Sequence, residues 1–339
     1  MSSSPKPDRL KKAILYATLV VFVLLSVEAT AQLLYWLRDV WRPAATETFR
    51  VRSFTRLVAD ARHVTTIPNF SSPKSDEWEI STDAFGFRSG AQTTSPECPS
   101  VVFIGDSVPF GYGGPGRASM PSKLFEHLQK ANDPRCVINA AIPSYSLFQA
   151  VARFEREILG KFKTDALYLQ IIDPAPQFAR FGAQWRPDID WTTERTVVKQ
   201  RSDKIASIAI VRDVLRHFEV LKAVDQDSLD RYRLEIRREL ERLHDMAVQA
   251  DVKQLVVAPV TVPASSYRQY PEQDKIAFDV INDEFSKFAG RHQDTTFLDT
   301  IKLLRSYPND DVFLDRCCHL TERGNDLVAE QLTKILIRK

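Results

Sequence analysis

From Val101 onward, short apolar runs rich in Val, Ile and Leu return five times, at residues 101–105, 136–140, 166–172, 254–258 and 296–298. Helical periodicity fills the intervals at 122–130, 146–161, 228–249 and 272–290, and a last helix starts from Thr321. Strand-length runs separated by amphipathic helices are what parallel pairing requires, because each parallel connection must cross back over the sheet. The pattern therefore predicts an α/β protein: a three-layer α/β/α, flavodoxin-like sandwich with a five-stranded parallel sheet. In the final helix Leu327, Val328, Leu332, Ile335 and Leu336 share one face, with Thr321 placed to cap its start.

The N-terminus adds a second element, a single transmembrane helix before that sandwich. Residues 1–12, "MSSSPKPDRLKK", form a basic cytoplasmic tail, and 13–37 are apolar apart from Glu28 and a few small polar residues. At 1.5 Å per residue the segment reaches roughly 37 Å, enough for a hydrocarbon core of about 30 Å. Tyr35 and Trp36 fall at the far interface, and the excess of positive charge before the segment keeps the N-terminus inside. Glu28, near one end, snorkels or meets a neighbouring helix. A cleaved signal segment is the alternative, because "ATA" at 29–31 fits a cleavage pattern; the apolar run continuing through "LLYWL" favours a retained anchor. Either way the remainder is exported, to the periplasmic or extracellular side of a cell membrane. Residues 38–97 read as a linker and pre-domain segment, and 98–339 as the main domain, with an insertion at 174–224 carrying Trp185 and Trp191.

With 44% apolar and 27% charged residues, the chain has the makings of a proper core. Its net charge of +2, spread along the chain, gives no footprint for nucleic acid. Cys98 and Cys136 each stand just before a strand run. Neighbouring parallel strands would bring them close enough for a disulfide in an oxidising compartment. Cys317 and Cys318 are adjacent, without the paired spacing of a zinc site, so no metal and no cofactor is expected.

Five of the eleven glycines lie in "VVFIGDSVPFGYGGPG", residues 101–116. Its "GYGGPG" matches the dinucleotide fingerprint in form, but it begins six residues after the strand, Pro115 lacks an amide, and the second strand ends in Asn139 where an acid should hold a ribose. The other reading is a tight turn that presents Ser107 as a nucleophile, which needs a base and an orienting acid. Of six histidines, His127, His217 and His244 lie in charged helical patterns and His63 and His292 in polar stretches, where solvated or capping roles suffice. His319 differs. It stands in a loop, "FLDRCCHLTERGN", directly before the last helix, with Asp315 four residues earlier.

These residues carry a resemblance. "FIGDSVPFGYG" resembles the first motif block of the GDSL-type lipases and esterases, the SGNH hydrolase superfamily, and "DRCCHLTERGNDLVAEQL" resembles its C-terminal Asp-and-His block. "STDAFGFRS" and "VINAAIPSYSLFQ" are similar, in order and spacing, to two further elements of the family's membrane-anchored bacterial members. The resemblance implies an ester-bond hydrolase in which Ser107 is the nucleophile, His319 the base and Asp315 the residue that orients it. It also implies an oxyanion hole that draws on the backbone N–H groups of Ser107 and Ser144. Three features depart from the family pattern: the Asp315 to His319 spacing is one residue longer, with Arg316 where the acid usually stands; Ala141 and Ser144 replace glycines; and Ile172, before Asp173, occupies the place of an oxyanion-binding Asn. Gln170, Ser144 or Ser146 are candidates to replace that donor. The implied substrate carries an ester, an O-acylated glycan by location. Acyl transfer to an envelope glycan, and a catalytically weakened binding or scaffold module, stay open as alternatives.

Overall fold

The computed structural model describes residues 7–41, 55–57, 64–72, 79–143, 145–171, 226–259, 261–269 and 272–337. The chain divides into two compact units, one of residues 1–51 and 195–221, the other of 52–194 and 222–339. Of the expected linker and pre-domain segment at 38–97, residues 42–54, 58–63 and 73–78 lie outside the described residues, as does the whole insertion at 174–224.

In the first unit, α1 (Pro7–Trp41) is one continuous helix. No proline or glycine interrupts it after Pro7, which stands at its first position, where a missing N–H costs nothing. Leu15, Leu19, Phe22, Leu24 and Leu25 are all more than half exposed. Its hydroxyls turn back on the helix: Ser26 Oγ donates to the Phe22 carbonyl at 2.9 Å and Thr30 Oγ1 to the Ser26 carbonyl at 2.8 Å. Gln32 Nε2 donates to Glu28 Oε1 at 2.8 Å. Among the described residues no helix is long and apolar enough to cross a membrane. The uninterrupted run of described side chains in α1 is 18–33, roughly 24 Å, and the spanning segment expected at 13–37 extends beyond it on both sides.

The second unit begins with an antiparallel pair, β1 (Thr55–Leu57) and β2 (Val64–Thr66). The main sheet then alternates with helices. β3 (Ser100–Gly105) runs into the short α2 (Ser107–Phe110) and then α3 (Met120–Lys130). β4 (Cys136–Asn139) leads to α4 (Leu147–Arg153), which widens into a π turn at Phe154–Ile158 before β5 (Thr164–Gln170). α5 (Gln226–Gln249), β6 (Gln254–Ala258), the short α6 (Ala264–Tyr267), α7 (Glu272–Arg291) and β7 (Thr295–Phe297) follow. The chain closes with α8 (Thr300–Leu304), α9 (Asn309–Val312) and α10 (Glu322–Ile337).

The sheet has five strands in the order β4-β3-β5-β6-β7, every pair parallel. β3 is buried along its whole length, so both of its faces are covered, as an apolar run without alternation requires. α3 and α10 pack on each other, while α5 packs on α4 and α7. Leu124, Leu128, Val328 and Leu332 are fully buried on that first pair. The order matters for function. From β3 the chain moves outward to β4 and then back across to β5, so the two connections diverge at the carboxyl end of β3 and leave a crevice there.

The expected helix at 146–161 is shorter than the periodicity suggests. It begins with a capping box of Ser146 and Gln149 and gives way after Arg153, whose fully buried guanidinium bonds Glu157 Oε2 at 3.0 Å and Thr66 Oγ1 at 2.9 Å. The expected strand at 166–172 ends at Gln170. Cys98 and Cys136 are joined in a disulfide with their Cα atoms 5.9 Å apart, and it ties together the starts of β3 and β4.

Candidate active site

Ser107 is the first residue after the turn out of β3, and the local sequence explains the turn. Gly105 has φ +143°, and a Cβ there would lie 2.0 Å from the Gln170 carbonyl oxygen, so only glycine permits β3 and β5 to end side by side. Asp106 caps α2 by accepting from the Val108 N–H at 3.2 Å. As the first helical residue, Ser107 has an N–H with no intrahelical acceptor. Gly111 ends α2 in the left-handed region at φ +78°.

A residue to which the sequence assigned no role secures this loop. Arg88, 2% exposed, donates from Nη1 to the Phe110 and Gly111 carbonyls, both at 2.7 Å, and from Nη2 to the Gly114 carbonyl at 2.6 Å. Its guanidinium also lies over the Phe110 ring at 4.3 Å. Burial lowers its pKa to about 9, which leaves it charged at neutral pH. Orphan carbonyls at the end of α2 are thus gathered by one cation.

On the opposite side, the loop after α9 doubles back. Leu314 N–H donates to the His319 carbonyl at 2.8 Å, and Phe313 pairs with Leu320 in an antiparallel bridge. This fold-back brings His319 over Ser107, 212 residues away: Nε2 lies 2.9 Å from Ser107 Oγ. Its Nδ1 lies 2.5 Å from Asp315 Oδ2, and its ring packs tilted against Tyr112, 4.7 Å between centroids at an interplanar angle of 37°. Asp315 Oδ1 meanwhile accepts from the N–H groups of Cys317 and Cys318, both at 2.9 Å, and of His319 at 3.3 Å. Partial burial pushes the Asp315 carboxyl up, but the His319 hydrogen bond and charge, with the amides of Cys318 and His319, outweigh it and hold the pKa at about 2. An ionised carboxylate only accepts, so Nδ1 donates to Asp315, and Nε2 is left to accept the Ser107 hydroxyl proton.

Cys317 and Cys318 are themselves joined in a disulfide between adjacent residues, which their spacing in the sequence did not suggest. Arg316 has no such part in the site; Asp315 is the carboxylate at the imidazole.

The remaining expected residues are placed differently. Ser144, Ile172 and Asp173 lie outside the described residues. Gln170 cannot stand in for the missing Asn: it is fully buried, donates from Nε2 to the Pro259 carbonyl at 3.1 Å and to Thr261 Oγ1 at 3.0 Å, and accepts from the Tyr168 hydroxyl at 3.1 Å. Burial, with the nearby Asp106 charge, raises the Tyr168 pKa, so it stays a neutral donor. Ser146 Oγ accepts from the Gln149 N–H in the α4 cap. Asn139 Nδ2 donates to the Phe110 carbonyl at 3.3 Å. Three other histidines, for which the sequence suggests solvated or capping roles, pair with acids between elements: His127 with Asp326 at 2.8 Å, His244 with Asp294 at 3.0 Å and His292 with Glu241 at 2.9 Å. His63 and His217 lie outside the described residues.

Neither a protein-family model nor a curated protein matches the chain. Solved structures do resemble it. A lipase/acylhydrolase from Enterococcus faecalis is 13% identical, with 70% of this chain and 95% of that one covered and a TM-score of 0.44. A protein of the G-D-S-L family from Desulfitobacterium hafniense is 16% identical, covering 71% and 99% at a TM-score of 0.42. A catalytic mutant of an acetylxylan esterase from Geobacillus stearothermophilus is 14% identical, covering 72% and 97% at 0.44. At such identities and scores these structures assign no activity, which has to come from the site itself.

Proposed function

We propose that the protein is a serine hydrolase of the SGNH type that cleaves ester bonds through an acyl-enzyme. One observation carries the reading: Ser107 Oγ, His319 and Asp315 form an unbroken chain of hydrogen bonds at 2.9 and 2.5 Å at the switch point of the sheet. His319 Nε2 takes the Ser107 proton as Oγ attacks the ester carbonyl, and Asp315 stabilises the imidazolium that results. The same Nε2 returns the proton to the departing alcohol, and a water activated by His319 then releases the acid. The Ser107 N–H, unclaimed by its helix, supports the developing oxyanion.

The oxyanion hole is the weaker part of the site. With Gln170 and Asn139 engaged elsewhere, no side-chain donor for the oxyanion stands out among the described residues. One such donor is worth on the order of a hundredfold to a thousandfold in turnover, so a slow esterase is expected. Membrane attachment through 13–37, with the sandwich on the exported side, is supported by α1: it is one continuous helix, its described apolar side chains other than Ala31 are largely exposed, and the Ser26 and Thr30 hydroxyls are bonded internally. The Cys98 to Cys136 disulfide fits an oxidising compartment. An ester-bearing envelope component, such as an O-acylated glycan, is the substrate that this location suggests.

The test is labelling of the full chain, purified in detergent, with a fluorophosphonate probe. Wild type should label and Ser107→Ala and His319→Ala should not. A folded wild-type protein that stays unlabelled would overturn the hydrolase reading in favour of a binding module.

A further inference from the structure

The loop that carries Asp315 and His319 contains more chemistry than the triad uses. Three consecutive N–H groups, of Cys317, Cys318 and His319, converge on Asp315 Oδ1. Successive amides aimed at one oxygen make an anion-holding nest, and its shape depends on the backbone torsions between them. Two of the three belong to residues joined by a disulfide through a single peptide unit. A covalent link that short restricts the torsions of both cysteines. The freedom that an open loop would have to surrender is thereby removed in advance. The loop is also tied by the hydrogen bond from Leu314 to His319, the Phe313 to Leu320 bridge and the Thr321 bonds to Val312 and Asp311 at its base, by His319 against Ser107 and Tyr112, and by the Cys318 side chain, which is buried in the core; none of these fixes the torsions between the three amides. Asp315 and Arg316 are exposed, and no buried side chain of theirs anchors the turn.

We propose that the Cys317 to Cys318 disulfide is a positioning device for the catalytic acid, and that the site is redox-sensitive through it. The inference rests on the hydrolase reading and adds its regulation. In the oxidised form the nest holds one oxygen of Asp315 and leaves the other for His319 Nδ1. In the reduced form the turn is free to open and Asp315 loses its fixed approach to the imidazole. The step needs a dithiol reductant. Its thiolate attacks the Cys317 sulfur, the partly exposed one of the pair, and Cys318, 2% exposed, leaves as a thiolate that takes up a proton. The second thiol of the reductant then displaces Cys317, so two electrons and two protons reach the protein while the dithiol becomes a disulfide.

The full chain carrying Cys98→Ser and Cys136→Ser isolates the vicinal pair. Turnover of p-nitrophenyl acetate, fluorophosphonate labelling and amide hydrogen exchange over residues 314–320 are measured in the oxidised and dithiothreitol-reduced forms. Reduction is expected to lower kcat on the order of a hundredfold with KM unchanged, to release the protection of the Cys317 and Cys318 amides, and to be reversed on reoxidation. Cys317→Ser with Cys318→Ser should give the low kcat in both conditions. Equal kcat and equal exchange in the two forms would overturn the positioning role while leaving the hydrolase reading intact. Absence of labelling in both forms of this variant, once circular dichroism shows it folded, together with absence of labelling in the wild-type chain, would remove the hydrolase reading, and the inference with it.

Discussion

Asp315 divides its work between two oxygens, one turned to His319 and one held by backbone amides. Replacing it with Asn keeps the shape but reverses the hydrogen-bonding sense at one atom, so Asp315→Asn should lower kcat on the order of ten-thousandfold, whereas Arg316→Ala should change it by less than about threefold. Steady-state ester hydrolysis separates the two. The depressed pKa also has a sign. Stability from ionised Asp315 is fully present above its unfolded value of about 4 and is lost as pH falls through its folded value of about 2. The difference in melting temperature between wild type and Asp315→Asn should therefore shrink across that window and be constant above it. Arg88 makes a different prediction. Arg88→Met leaves the Gly111 and Gly114 carbonyls without their side-chain donor and the Phe110 carbonyl with Asn139 alone, and should cost roughly 3 kcal/mol, a fall in Tm of about 6–12 °C, measured by thermal denaturation. That role was not legible in "STDAFGFRS", because its acceptors are main-chain carbonyls, which a sequence does not display.

At the scale of elements, the short apolar runs announced the strands to within a residue or two, since a parallel strand buried on both faces has almost no other way to be written. The disulfide at the start of β3 and β4 followed from the same pattern. It closes a loop of 38 residues, and its reduction should destabilise the fold by about 4 kcal/mol on loop entropy, seen as a lower midpoint in urea. The turn after β3 is less forgiving. Gly105→Ala would place a methyl 2.0 Å from the Gln170 carbonyl oxygen, and a loss above about 4 kcal/mol should leave little folded protein by circular dichroism. What the pattern could not reveal was the break of α4 into a π turn at Phe154, nor the disulfide between neighbours at Cys317. The first accompanies a distant contact of Arg153 with Thr66, and the second involves a pair whose spacing matches no familiar framework.

For the whole molecule, the proposed anchor predicts that the full chain stays with membranes through alkaline carbonate washing, and that a chain lacking residues 1–37 is released. Recovery of the intact chain in the wash would remove the anchor. The three members of the candidate triad were legible because each sits in a short motif; Gln170, a candidate oxyanion donor by sequence, is instead spent on Thr261 and Pro259, distant in the chain and invisible to local pattern. The long separation between Ser107 and His319 has a consequence for biosynthesis. The serine is made 212 residues before its base, and the five strands, the helices other than α10 and the Arg88 clamp are synthesised first. Under the proposed reading, a chain still being translated therefore carries its candidate nucleophile with nothing to deprotonate it, and hydrolytic competence would arrive only when the closing loop docks, late in the life of the nascent protein.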